Sequence, residues 1–236
     1  MLFPKPLIEG RLLRRYKRFL ADVELADGSR VTVHTPNTGS MRGCSEPGSR
    51  VWLSWSANPK RKYPLSWELV EASTRVLVGV NTGLPVGLVQ EGIALGVITE
   101  LQGYSNIRAE VRYGIERSRI DLLLEAGQRR CYVEVKNVTL ADGLGRALFP
   151  DAVTARGTKH LRELMSVAED PHTRGVMLFC VQRGDVHSVA PADSIDPVYG
   201  ATLREAIGCG VEAIAYRADV SPGAVELTTR IPVHLD

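Results

Sequence analysis

Residues 176–181, Val-Met-Leu-Phe-Cys-Val, form an unbroken apolar run between Gly175 and Gln182. A strand with no polar face must be covered on both sides, so Gly175–Gln182 is expected inside a layered α/β domain rather than on a half-solvated sheet. The surrounding segments supply the rest of such a domain. Asn81 is placed to cap a helix over Leu84–Ala94, with Leu84, Leu88 and Ile93 on its apolar side. Strands are expected near Ala109–Tyr113, Arg119–Glu125 and Arg130–Thr139, the last two separated by Ala126-Gly127-Gln128. A helix over Thr158–Glu169 carries Leu161, Leu164, Met165 and Ala168 at helical spacing, and a shorter one over Thr202–Ile207 ends at Gly208. Strands near Val211–Tyr216 and Val225–Arg230 complete an α/β domain over residues 81–236.

The first 80 residues follow a different period. Ala21–Leu25 and Arg30–His34 flank Asp27-Gly28, a dipeptide suited to a tight hairpin. Arg50–Ser56 follows Pro47-Gly48, with Val51, Leu53 and Trp55 alternating toward one buried face. Leu65–Ala72 and Arg75–Val80 read as two more strands. Arg11–Leu20 suits a helix stripe (Leu12, Leu13, Tyr16, Leu20) as well as a strand. About five short strands in residues 1–80 fit a small closed β-barrel of the oligonucleotide-binding (OB) type. Trp52 and Trp67 are read as barrel core rather than base-stacking groups.

The formal net charge of +2 conceals an asymmetry. Residues 1–62 hold twelve Lys or Arg against five acids, a balance of +7, and residues 63–236 hold seventeen against twenty-two, a balance of −5. A basic first quarter is a candidate polyanion surface, because phosphate contacts release counterions. Its dense stretches contain Arg14, Arg15, Lys17 and Arg18 beside Tyr16 and Phe19, and Lys60, Arg61 and Lys62 beside Tyr63. Cations interleaved with aromatics suit a groove that holds backbone phosphates and stacks bases. The longest uncharged run, Val76–Gln90, is interrupted by four glycine or proline residues, so no membrane span is expected. Lys5 and Arg11 lie where a secretion signal would need an apolar core, and the four cysteines form no C-x-x-C pair; a soluble cytoplasmic protein is expected.

The chemistry is concentrated in Arg119-Ile-Asp-Leu-Leu-Leu-Glu125 and Cys131-Tyr-Val-Glu-Val-Lys-Asn137. Glu134 and Lys136 are two apart on one strand and share a face, with Val133 and Val135 on the other. A neighbouring strand brings Asp121 beside Glu134. Adjacent carboxylates repel, and a hard divalent cation, Mg²⁺ or Mn²⁺, relieves that repulsion through oxygen ligands. Such an ion polarises a phosphodiester oxygen and acidifies its water, while Lys136 orients the water or stabilises developing charge. Asp121, Glu134 and Lys136 are therefore the candidate catalytic set, and Glu91 on the preceding helix is a candidate third metal ligand. Arg156, Lys159 and His160 open the helix that follows, where a cation can meet the scissile phosphate. His34–Asn37 and Thr38–Met41 form either a nucleic-acid-contacting loop or a turn required by Pro36 and Gly39.

Asp…Glu-x-Lys on adjacent strands within a helix–strand–strand–strand–helix–strand order resembles the PD-(D/E)XK, or restriction-endonuclease-like, nucleases. Longer phrases narrow the resemblance: His34-Thr-Pro-Asn-Thr-Gly-Ser-Met41, Ser118-Arg-Ile-Asp121, Tyr132-Val-Glu-Val-Lys-Asn-Val-Thr139 and Phe149-Pro-Asp-Ala-Val-Thr-Ala-Arg-Gly-Thr-Lys-His-Leu161. Together these resemble the sugar fermentation stimulation protein A family over nearly the whole chain. That resemblance implies an N-terminal OB-like domain, a C-terminal PD-(D/E)XK-like domain and DNA binding, with RNA left open. It also implies a link to regulation of sugar (maltose) metabolism genes, without a settled reaction. A homodimer is expected because many nucleases of this fold type pair. The alternative to a nuclease is a non-catalytic DNA-binding regulator using the same fold. Leu203–Gly210 superficially suggests a helix-turn-helix for that role, but Val211–Tyr216 after it reads as a strand.

Overall fold

The computed structural model describes residues 1–72, 75–114 and 118–236. The first domain is built from β1 (Ile8–Tyr16), β2 (Leu20–Leu25), β3 (Arg30–His34), β4 (Arg50–Trp55) and β5 (Leu65–Glu71), with β6 (Leu77–Gly79) appended. β1 pairs antiparallel with both β2 and β4, and a parallel contact between His34 and Ser66 closes β3 on β5 into a barrel. Pairing on both edges makes residues 11–16 a strand rather than a helix, and residues 17–19 turn the chain into β2. Gly10 permits the pairing, since a Cβ there would lie 2.5 Å from Val23 Cγ1. Leu12, Val23, Val33, Val51, Leu53 and Trp67 fill the barrel.

Trp52 and Trp67 are both buried, but only Trp67 belongs to the barrel core as expected. Trp67 lies inside and donates its indole N–H to Leu69 O at 2.9 Å. Trp52 faces outward and is buried against the second domain, where it joins Leu69, Leu88 and Val135 in one apolar cluster. Trp55 departs from the expected buried face. It is the last residue of β4, pairs with the first residue of β5, and lies beyond the core at the barrel mouth.

The second domain begins with α1 (Pro85–Ala94). The helix starts at Leu84–Pro85 and receives no side-chain cap. Asn81 instead closes a local turn through Gly83 N and donates to Glu68 Oε2, so the expected Asn81 cap is corrected. There follow β7 (Asn106–Tyr113), β8 (Ser118–Ala126), β9 (Arg129–Val138), β10 (Leu140–Ala141), β11 (Arg146–Phe149), α2 (Ala155–Ala168), β12 (Thr173–Val181), β13 (Ser188–Pro191), α3 (Pro197–Gly208), β14 (Glu212–Val220) and β15 (Val225–Ile231). The main sheet has the order β15-β14-β12-β9-β8-β7, with β9, β12 and β14 parallel at its centre. Both faces of β12 are covered as the apolar run required. Val176, Leu178 and Cys180 pack with α1, and Met177, Phe179 and Val181 pack with α2 and α3.

Each of the two long C-terminal helices begins on a side-chain cap. Thr154 accepts from Gly157 N, and Asp196 accepts from both Tyr199 N and Thr154 N, which ties the two helix starts together. A small sheet, β10-β11-β13, lies beside these starts. β14 follows α3 directly, which rules out a helix-turn-helix there. Among the described residues, no helix is long and apolar enough to cross a membrane.

Candidate active site

The site arises where two strands part. β8 and β9 are paired from Ala126–Arg129 up to Leu122–Val133, and the ladder stops there. The backbone N–H of Val135, freed by the split, needs an acceptor. Asp121 Oδ2 supplies it at 2.7 Å. This substitution of a side chain for a ladder bond fixes the Asp121 carboxylate at the fork.

Glu134 precedes Val135 on β9 and is only 2% exposed. Its Oε1 accepts from Lys136 Nζ at 2.5 Å and also from His160 Nδ1. Arg156 Nε donates to His160 Nε2 at 3.4 Å, which leaves Nδ1 as the ring nitrogen that donates to Glu134. Asp121, Glu134 and Lys136 are thus brought together, and His160 joins them from α2. Glu134 Oε2 is buried without a hydrogen-bond partner.

The two carboxyl groups are pushed in opposite directions. Burial, and then the charge of Glu134, raises Asp121 from 3.8 to about 6. Burial also acts upward on Glu134, but the His160 and Lys136 contacts outweigh it and hold this carboxyl below its ordinary value. The pair therefore shares a strain that a cation would relieve. An uncommitted buried carboxylate oxygen beside a second, repelled carboxylate is a donor set that suits a hard divalent ion. Among the described residues no three His, Cys, Asp or Glu side chains are grouped as a metal cage. Two carboxylates, completed by water and substrate oxygens, are sufficient for Mg²⁺. Glu91 lies elsewhere: its carboxylate takes the Met1 ammonium and lines a different cavity with Leu95, Val97 and Glu226. It is corrected as a metal candidate, because helical periodicity fixed its face but not which end of α1 approaches the fork.

Asp121 opens into a cleft of about 380 Å³ between the domains. Asn137, Leu148, Phe149 and Asp151 form one side, and Asn37, Thr38, Thr82 and Val86 the other. The barrel loop after β3 thus walls the cleft. Asp151 holds it there, accepting from Met41 N at 2.9 Å through its carboxylate and from Ser40 Oγ at 2.6 Å through its carbonyl. Asp151 had no assigned role in the sequence; Phe149-Pro-Asp was visible only as a phrase.

The basic run divides by function. Arg14 pairs with Asp22 at 2.8 Å. Arg15 is half-buried and donates to the carbonyls of Arg18, Asn37 and Gly39 at 2.8–3.0 Å, bracing the cleft wall. Arg18 donates to Thr38 O, while Lys17 is exposed. Arg61 donates to Ser66 Oγ at 2.9 Å, Lys60 and Lys62 are exposed, and Lys62 lies over the Tyr63 ring. Arg156 is exposed and Lys159 half-buried at the start of α2. Arg15→Ala should therefore cost about 2–3 kcal/mol in urea unfolding, whereas Lys17→Ala should leave stability within about 0.5 kcal/mol of native. Equal losses in the two would contradict this division.

Comparison with known proteins agrees with this architecture. The model described as "SfsA N-terminal OB domain" matches residues 13–80, and that described as "Sugar fermentation stimulation protein RE domain" matches residues 83–224. Sugar fermentation stimulation protein homologs of Pelobacter propionicus and Geobacter metallireducens are 64% identical over 230 residues (98% of each chain) and 62% identical over 235 residues (100% of each). The solved structure of Pyrococcus furiosus SfsA in complex with Ca²⁺ superposes with a TM-score of 0.89 at 26% identity, covering 99% of this chain and 98% of that one. With an OB barrel in front, a restriction-endonuclease-like domain behind and relatives matched end to end, the chain belongs to the sugar fermentation stimulation protein family.

Proposed function

We propose that the chain is a divalent-metal-dependent phosphodiesterase acting on nucleic acid in the cytoplasm. The observation that carries this reading is the fork of β8 and β9, which sets Asp121 against a buried Glu134 whose Oε2 is unpaired and whose neighbour is Lys136. The Pyrococcus furiosus relative was solved in complex with Ca²⁺, which supports binding of a divalent ion by a chain of this fold. Mg²⁺ or Mn²⁺, when bound, supplies polarisation of a phosphodiester oxygen and a more acidic water. Asp121 and Glu134 would hold it. Lys136 and His160 together orient Glu134 through Oε1 and leave Oε2 uncommitted. The Lys136 ammonium also stabilises negative charge as it develops on the phosphate. Glu134 is almost fully buried, and its low-dielectric surroundings strengthen the contacts it makes.

A DNA-binding regulator linked to sugar-metabolism genes is the second reading, and the observation on its side is that no third His, Cys, Asp or Glu completes a metal cage with Asp121 and Glu134 among the described residues. The two are separated by incubating the native chain with single- and double-stranded DNA and RNA in Mg²⁺ or Mn²⁺ and in EDTA. Metal-dependent chain scission is the expected result. Salt-sensitive binding with no scission of any substrate would favour the regulator.

A further inference from the structure

Two large apolar aromatic side chains of the barrel are exposed: Phe19 is 46% exposed and Trp55 56%. The pairings bring them to one region. Leu20–His34, His34–Ser66 and Ser66–Ser54 run as a single row across β2, β3, β5 and β4. Phe19 and Trp55 each stand one residue from the two ends of that row, three strand spacings of about 4.8 Å apart along the sheet. Cations flank both. Lys17 and Arg18 form the turn before Phe19, Lys60 and Lys62 project from the loop after Trp55, and Arg61 reaches Ser66 within the row. Neither that turn nor residues 56–64 contain an acid.

The turn is also held in a demanding conformation. Lys17 and Arg18 have φ of 50° and 63°, in the left-handed region that ordinary residues avoid. Arg15 fixes the Arg18 carbonyl, and Arg18 in turn fixes Thr38 O. Thr38 lines the Asp121 cleft. The turn presenting Phe19 is therefore joined to the wall of the candidate active site. In a barrel of this type the β1–β2 and β4–β5 loops are where oligonucleotides are gripped.

We propose that Phe19 and Trp55 are base-stacking platforms of a track that binds single-stranded nucleic acid and leads it past Arg18 and Thr38 into the cleft. As a path to a cleavage site it rests on the nuclease reading above; as a binding site it stands alone. An aromatic platform needs an exposed base face, which a duplex keeps inside its stack, so the track selects single strands. It accepts DNA and RNA alike, because stacking reads the base and not the sugar.

Trp52 and Trp67 are buried, so fluorescence changes on binding report Trp55. Titration with oligothymidylate or oligouridylate of about twelve nucleotides, within the span of one OB barrel, is expected to quench this signal, and a duplex of the same length is not. By fluorescence anisotropy, Trp55→Ala should bind the single strands roughly 5- to 100-fold more weakly, Trp55→Phe should recover most of the loss, and duplex affinity should not change. Native single-strand affinity in the combined Phe19→Ala and Trp55→Ala variant would overturn the proposal, as would a preference of the native chain for duplex. A cleavage assay on the native chain separates the two readings. Trp55-dependent binding without cutting removes the nuclease and keeps the track, whereas cutting with Trp55-independent binding does the reverse.

Discussion

Asp121→Asn is expected to lower phosphodiester cleavage by on the order of 10³-fold and, in the same molecule, to make the metal-free chain more stable at neutral pH. The second effect follows from proton linkage. Asp121 titrates near 6 in the folded chain against 3.8 as its ordinary value. Between those values the folded chain keeps a proton that the unfolded chain has released, so stability falls as pH rises through this window. The fall is at most about 3 kcal/mol. Asparagine carries no charge and still offers an oxygen to Val135 N. The variant should therefore exceed native stability by about 1–3 kcal/mol above the window and match it near pH 4, measured by urea unfolding in EDTA. A variant less stable than native at neutral pH would contradict the electrostatic description of the fork. A gain in stability accompanied by loss of chemistry is the signature of a site that holds two carboxylates together for function.

The second large effect is stabilisation by the ion itself. A cation that binds the folded chain alone adds about 2.7 kcal/mol at a hundred times its dissociation constant, or roughly 5–11 °C in Tm for a chain of this size. Mg²⁺, Mn²⁺ or Ca²⁺ should produce this shift in the native chain at neutral pH. The shift should shrink as pH falls below about 6, where Asp121 holds a proton instead, and vanish in Asp121→Asn. Differential scanning calorimetry across pH, with and without EDTA, measures all three. An equal shift in the variant would place the ion elsewhere.

Several features could be read from residue types because local chemistry determined them. Six apolar residues without a polar face required the doubly covered β12, and Glu-x-Lys required two polar side chains on one face of β9. Asp196-Pro197 also carried a cap-and-proline signal for the true start of α3, which the apolar spacing over Thr202–Ile207 concealed. Other features depend on partners distant in the chain. Arg14 and Arg15 are adjacent and chemically alike, yet one pairs with Asp22 and the other braces three carbonyls. The two-residue β10 and four-residue β11 and β13 are too short to show a period. Trp55 continues the alternation of Val51 and Leu53, and only the position of the barrel mouth turns it outward. The termination of the β8–β9 ladder at Leu122–Val133, which creates the site, leaves no mark in the sequence apart from Asp121 itself.

The most direct test is cleavage of an end-labelled single strand by the native chain and by Asp121→Asn, each in Mn²⁺ and in EDTA. Product from the native chain in Mn²⁺ alone, with the variant at background, is the predicted result. No product from the native chain, or equal product from both, would contradict a hydrolytic site at the fork.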